Sequence, residues 1–121
     1  MASVPAPVVL QASAAKTATG QTGVFSSSVV NRDGTNQNVL NILAAVTAVS
    51  GTSPSMTLSV QWSNDAGTTW FDADPADAFT AITATGNKVK QVTVKGPAFR
   101  VLYTITGTTP SFTFSLTATG A

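Results

Sequence analysis

The stretch Gly51-Thr-Ser-Pro54-Ser-Met56-Thr-Leu58-Ser-Val60 returns 56 residues later as Gly107-Thr-Thr-Pro110-Ser-Phe112-Thr-Phe114-Ser-Leu116. In both copies every second residue after the proline is apolar and those between are Thr or Ser, the period of a strand with one face in a core. Each copy follows a short apolar strand, Val46 to Val49 and Leu102 to Ile105. The Gly, free to take positive φ, and the Pro, with fixed φ and no donor, therefore read as a turn leading into an outgoing strand. Two copies are too few, and their spacing too long, for a solenoid, so the sequence predicts two pseudo-symmetric hairpins in one sandwich. Thr52 and Pro54 at one tip, and Thr108 and Pro110 at the other, are candidate contact residues.

Outward from this repeat, short alternating segments are separated by Gly, Pro, Asn and Asp clusters, the pattern of many short strands. The strands expected are Val8 to Ala14, Gly23 to Val30, Asn38 to Val49, Ser55 to Ser63, Thr68 to Asp72, Phe79 to Thr83, Lys88 to Lys95, Ala98 to Thr106 and Ser111 to Thr119. Val39 to Val49 also matches a helical face through Val39, Leu40, Ile42, Leu43 and Val46, and is read as strand because it continues into the repeat. The fold expected is all-β, a single antiparallel β-sandwich of about eight strands with Ig-like or jelly-roll topology. Val60, Trp62, Phe99, Val101, Phe112, Phe114 and Leu116 should form its core. Residues 8–121 make the sandwich domain. Residues 1–7 carry Pro5 and Pro7 and read as an extended arm, whose Val4, Pro5 and Pro7, with Val8 beyond, are further candidate contacts.

Composition narrows the chemistry. The 121 residues include no Cys and no His, which removes disulfides, thiolate metal sites and the usual general base, and with them zinc-hydrolase and Ser-His or Cys-His chemistry. Six Lys or Arg against five Asp give a net charge of +1, with no cluster dense enough to follow a phosphate backbone, so nucleic acid is not an expected partner. No apolar run approaches the ~20 residues of a membrane span, and Met1 to Leu10 lacks the start of a signal peptide, so the reading is a soluble protein made in the cytoplasm, with no membrane partner. Charged residues are 9% of the chain, well below the usual ~25%. Their place is taken by 20 Thr and 12 Ser. A weakly charged, Thr-rich surface suits sheets and associates readily, which points to homo-oligomers, a trimer among them.

Ser63-Asn-Asp65-Ala-Gly67-Thr-Thr69-Trp70 matches S-x-D-x-G-x-T-W, the Asp box of sialidases and other β-propeller proteins. Its physical content is a stapled hairpin: Asp65 accepts bonds from turn amides, Gly67 takes the left-handed position and Trp70 packs beneath. A sialidase also needs an arginine cluster, a tyrosine nucleophile and acids, whereas this chain has Arg32, Arg100, Tyr103 and no Glu. Asp72, Asp74 and Asp77 could be spaced as calcium ligands but lack the EF-hand pattern, and a solvated turn around Pro75 is the preferred reading. Lys88, Lys90, Lys95 and Arg100 are either a basic docking stripe or, more simply, edge protection. Trp62 and Trp70 could stack a sugar, but their strand-like spacing favours core and turn packing. Neither an enzyme nor a cofactor or metal site is expected.

From Val46 to Leu116 the order T-A-x-S-G-T-S-P, V-Q-W-S-N-D-A-G-T-T-W-F-D, F-T-A-I-T-A-T-G and V-K-G-P-A-F-R-V-L-Y-T-I-T-G-T-T-P-S-F-T-F-S resembles small β-rich virion proteins of tailed bacteriophages. The opening Leu10-Gln-Ala-Ser-Ala-Ala-Lys16-Thr-Ala-Thr-Gly20 is similar to their starts. The resemblance implies a virion structural protein made in the host cytoplasm, foremost a capsid decoration (cement) protein bridging subunits of the major capsid protein. A neck or tail structural protein, bound to other virion proteins, or a carbohydrate-binding tail module are the alternatives.

Overall fold

The computed structural model of the chain describes residues 8–27 and 39–120. Val4, Pro5 and Pro7 of the arm lie outside the described residues. The described residues form seven strands in order: β1 (Val8–Lys16), β2 (Gly20–Gln21), β3 (Phe25–Ser26), β4 (Val39–Ser63), β5 (Phe71–Ala78), β6 (Gly86–Thr93) and β7 (Ala98–Gly120). All pairings are antiparallel, and no α-helix occurs among the described residues. The all-β antiparallel architecture is the one expected.

Its frame is two very long strands. β4 has 25 residues and β7 has 23, and they pair with each other from Leu40↔Gly120 to Ser63↔Ala98. Tyr103 and Phe114 nevertheless have ring centroids 5.5 Å apart. An extended strand would separate these positions by about 36 Å at its usual rise per residue. Both strands therefore bend back, and the sheet folds over onto itself. One layer consists of β6, the first half of β4, the second half of β7 and β1; the other of β5, the second half of β4, the first half of β7, and β2 with β3. Counted by layer, nine strand segments among the described residues enclose one core.

Alternation fills that core. Leu40, Ile42, Ala44 and Val46 face Met56, Leu58, Val60 and Trp62 from the other half of β4, while β7 adds Phe99, Val101, Tyr103 and Ile105 and then Phe112, Phe114, Leu116 and Ala118. All seven residues expected in the core are buried.

The repeat is the fold-over itself, and here the structure corrects the expectation of two hairpins. Val46 pairs with Phe114 and Ser55 with Thr106, so each copy continues through its Gly-Thr-x-Pro segment as one strand and pairs with the other copy. Register slips at Val46/Ala48, Ser50/Thr52 and Thr52/Ser55 absorb the bend. Gly51 and Ser53 have φ of 108° and 49°, and Gly107 and Thr109 repeat this with 123° and 50°. Thr52 pairs with Thr108, its own counterpart in the repeat, so a pseudo-two-fold axis passes between them.

That axis organises the rest. β1, β2 and β3 precede β4 in the chain but pair with β7; β5 and β6 precede β7 but pair with β4. Each half of the chain thus lends its short strands to the long strand of the other. Smaller corrections follow. The expected strand Phe79 to Thr83 reduces to a bridge between Met56 and Ile82, and β2 was not anticipated. Residues expected to make a solvated turn around Pro75 are part of β5, bulged between Asp72 and Asp77 where they oppose Gln61 and Val60.

Candidate functional site

The Asp-box residues close the turn between β4 and β5. Ser63, buried at the end of β4, donates through Oγ to Asp65 Oδ1 at 2.8 Å and accepts from the Gly67 amide at 2.9 Å and the Asp65 amide at 3.3 Å. The Thr69 amide donates to Asp65 Oδ1 at 2.7 Å. These two donors, the Thr69 amide above the Ser63 hydroxyl, hold the Asp65 carboxyl below its ordinary range. Gly67 has φ 96° and Ala66 φ 61°, so two successive residues take positive φ. A Cβ on Gly67 would lie 3.3 Å from Val24 and 3.4 Å from the Trp70 ring, so both side chains pack close to the turn.

Two further polar chains lock the neighbouring strands. On the outer side, Arg100 stacks on Trp70 with its guanidinium carbon 4.2 Å from the ring centroid and donates from Nε to Gln61 Oε1 at 2.9 Å. Gln61 Nε2 donates to Asp72 Oδ1 at 3.3 Å, and Gln61 stands in register with both partners. The guanidinium covers a face of Trp70 that a sugar would need. On the inner side, fully buried Trp62 donates from Nε1 to Asp77 Oδ2 at 2.9 Å, and Lys95 Nζ bonds the same oxygen at 3.0 Å. Asp77 and Lys95 were not foreseen as partners of Trp62, because nothing local in the sequence links positions on β4, β5 and the segment after β6.

The structure separates the three aspartates offered as calcium ligands: Asp72 points to Gln61 and Asp77 to Trp62, while Asp74 is exposed beside a cis peptide to Pro75. No group of three or more His, Cys, Asp or Glu is assembled among the described residues. The four basic residues do not share one stripe either. Lys88 and Lys90 lie on β6, whose pairing is with β4 alone, so they are edge lysines, whereas Arg100 is on the other layer.

The corner joins what the sequence presented as two tips. A Cβ on Gly51 would fall 2.6 Å from the Thr109 carbonyl oxygen and 2.9 Å from Pro110 Cα; one on Gly107 would fall 2.9 Å from the Ser53 oxygen and 3.0 Å from Pro54 Cα. Thr52, Pro54, Thr108 and Pro110 are therefore one surface at the pseudo-axis, with both threonines exposed and both prolines half-buried. Val8 begins β1, half-buried opposite Ala118. An open groove between residues 78–80 and 87–90 lies where β6 meets the end of β5. No family model matches the chain, and no curated protein or solved structure matches it.

Proposed function

We propose that the protein is a non-catalytic structural component of a tailed-phage virion, a capsid decoration (cement) protein that stabilises the head by bridging neighbouring subunits of the major capsid protein. The observation that carries this reading is the use made of the chemically capable side chains. Ser63, Asp65, Asp72, Asp77, Lys95 and Arg100 each close a turn or tie one strand to another. What remains for partners is surface: Thr-rich, weakly charged and carried on two strands that run through both layers. The resemblance of Val46 to Leu116 to phage virion proteins supplies the particle.

Binding then rests on shape, sheet-edge hydrogen bonds and apolar burial. A standard interface buries about 1,600 Å² in total, and repetition around a closed shell makes modest contacts collectively strong. The arm, with Val4, Pro5 and Pro7, is the first contact, because it leads into Val8 on an edge strand. The corner of Thr52, Pro54, Thr108 and Pro110 is the second. Copies of the chain associate with one another as well as with the capsid.

Imaging of particles made without the protein tests the reading. Density lost evenly over the head supports decoration; density lost only at the neck or tail overturns it. Deleting residues 1–7 tests the arm separately, and particle binding undiminished by the deletion removes the arm from the mechanism.

A further inference from the structure

The strands of the layer formed by β6, the first half of β4, the second half of β7 and β1 carry three charged residues among those described: Lys16, Lys88 and Lys90. Register places all three on the core-facing side of the sheet, Lys88 exposed and Lys16 and Lys90 half-buried. Lys16 opposes Phe112, Lys88 opposes Ala44 and Lys90 opposes Ile42, and each partner is a buried core residue. Directly opposed residues of an antiparallel pair project to the same face. The outer face of this layer is consequently uncharged across all four strands.

Across its middle runs one row in register: Val89 on β6, Leu43 on β4, Thr117 on β7 and Val9 on β1. Val89 is 65% exposed and Val9 56%, and they are two of the three large apolar side chains exposed among the described residues. Leu43 and Thr117 between them are half-exposed. The adjacent rows carry no charge and are polar except at Ala45, with Gln91, Asn41 and Thr119 on one side and Asn87, Ala45 and Ser115 on the other. Gln91 and Asn41 already bond each other at 3.2 Å. An apolar centre with a polar, hydrogen-bonding rim is the anatomy of a protein interface.

We infer that this face docks a second copy of the chain, the two apolar rows meeting about a two-fold axis. The inference extends the self-association in the proposed function to a named surface. Like faces can meet here because neither brings a charge that would repel its twin or need desolvation. Face-to-face packing is also the route left open at β6, since inward-pointing lysines obstruct pairing along a sheet edge. Four strands are about 19 Å wide, and eight residues of each about 26 Å long, so a pair of faces covers about 1,000 Å², the lower bound for a specific interface. The product is a weak, concentration-dependent dimer.

Sedimentation equilibrium of the full chain from about 5 to 500 μM spans the range such an interface populates. The wild type should pass from monomer to dimer. Val89→Asp and Val9→Asp should each weaken the dimer by about tenfold, as loss of a central contact does, with circular dichroism and Tm unchanged. Thr104→Asp, exposed on the other layer, should dimerise as wild type does. A monomer throughout, a trimer or larger oligomer, or dimers that survive both Asp substitutions would overturn the inference; having two variants guards against one failing to fold. Co-sedimentation with particles reads the proposed function separately. Particle binding by a strictly monomeric protein defeats the dimer alone, whereas a sound dimer that ignores particles defeats the virion role alone.

Discussion

Ser63 and Asp65 show what a single residue contributes to this fold. Ser63 Oγ is buried and serves the Gly67 amide, so Ser63→Ala leaves that donor without its partner and should cost about 1–3 kcal/mol in urea denaturation. Asp65→Ala should lower Tm and leave particle binding by the folded protein intact, because the box closes a turn. The Asp65 carboxyl is held below its ordinary range in the folded state, so its contribution is complete above the unfolded aspartate value of about 3.9 and is lost as pH falls through the folded value. Stability of the wild type measured from pH 6 down to pH 2 should therefore drop in the acid limb more steeply than that of Asp65→Asn; equal slopes would refute the link. The box was legible because the side-chain hydrogen bonds that staple it lie within eight consecutive residues. The bond from Trp62 to Asp77 was not, because it depends on how β5 is aligned with β4.

Among the elements, the bends in β4 and β7 matter most. Gly51 and Gly107 have φ where side chains are strained, and a Cβ on either would meet backbone rather than a movable side chain. Gly51→Ala and Gly107→Ala should each destabilise by about 1–3 kcal/mol, with similar size because the sites are equivalent about the pseudo-axis. Thermal or urea unfolding of both variants checks this; a neutral substitution at either would show that the corner tolerates a side chain. Phe114, fully buried where the second half of β7 meets Tyr103 of the first, should cost about 3–5 kcal/mol as Phe114→Ala. The alternation that marked Phe112, Phe114 and Leu116 as core was legible, since period two does not depend on the partner. The Gly-Thr-x-Pro segment was misread because positive φ and a proline mark a hairpin turn and a strand bend equally well.

At the scale of the whole molecule, the exchange of short strands between halves makes the chain cooperative. β1 pairs with the far end of β7, Val8 opposite Ala118, and most of the sheet joins residues distant in sequence. Such topologies fold slowly, so stopped-flow refolding should run in milliseconds to seconds. A break in the Asp-box turn, between residues 66 and 67, should give two fragments that lack a cooperative unfolding transition alone and regain one when mixed, as each holds strands that the other's long strand requires. A fragment that folds unaided would contradict the exchange.

The sequence by itself determined that this chain is a Thr-rich β protein, that Val60, Trp62, Phe99, Val101, Phe112, Phe114 and Leu116 enter its core, where the Asp-box turn lies and that a ten-residue segment recurs. Those properties follow from side-chain type, local spacing and period, which are read without knowing any partner. Only the tertiary structure decided that the repeated segments are the two sides of one corner, that Trp62 answers to Asp77, and that every lysine of one layer turns inward and leaves an uncharged face. Each of these depends on strand register, and a register one residue away would send the same side chains to the opposite face.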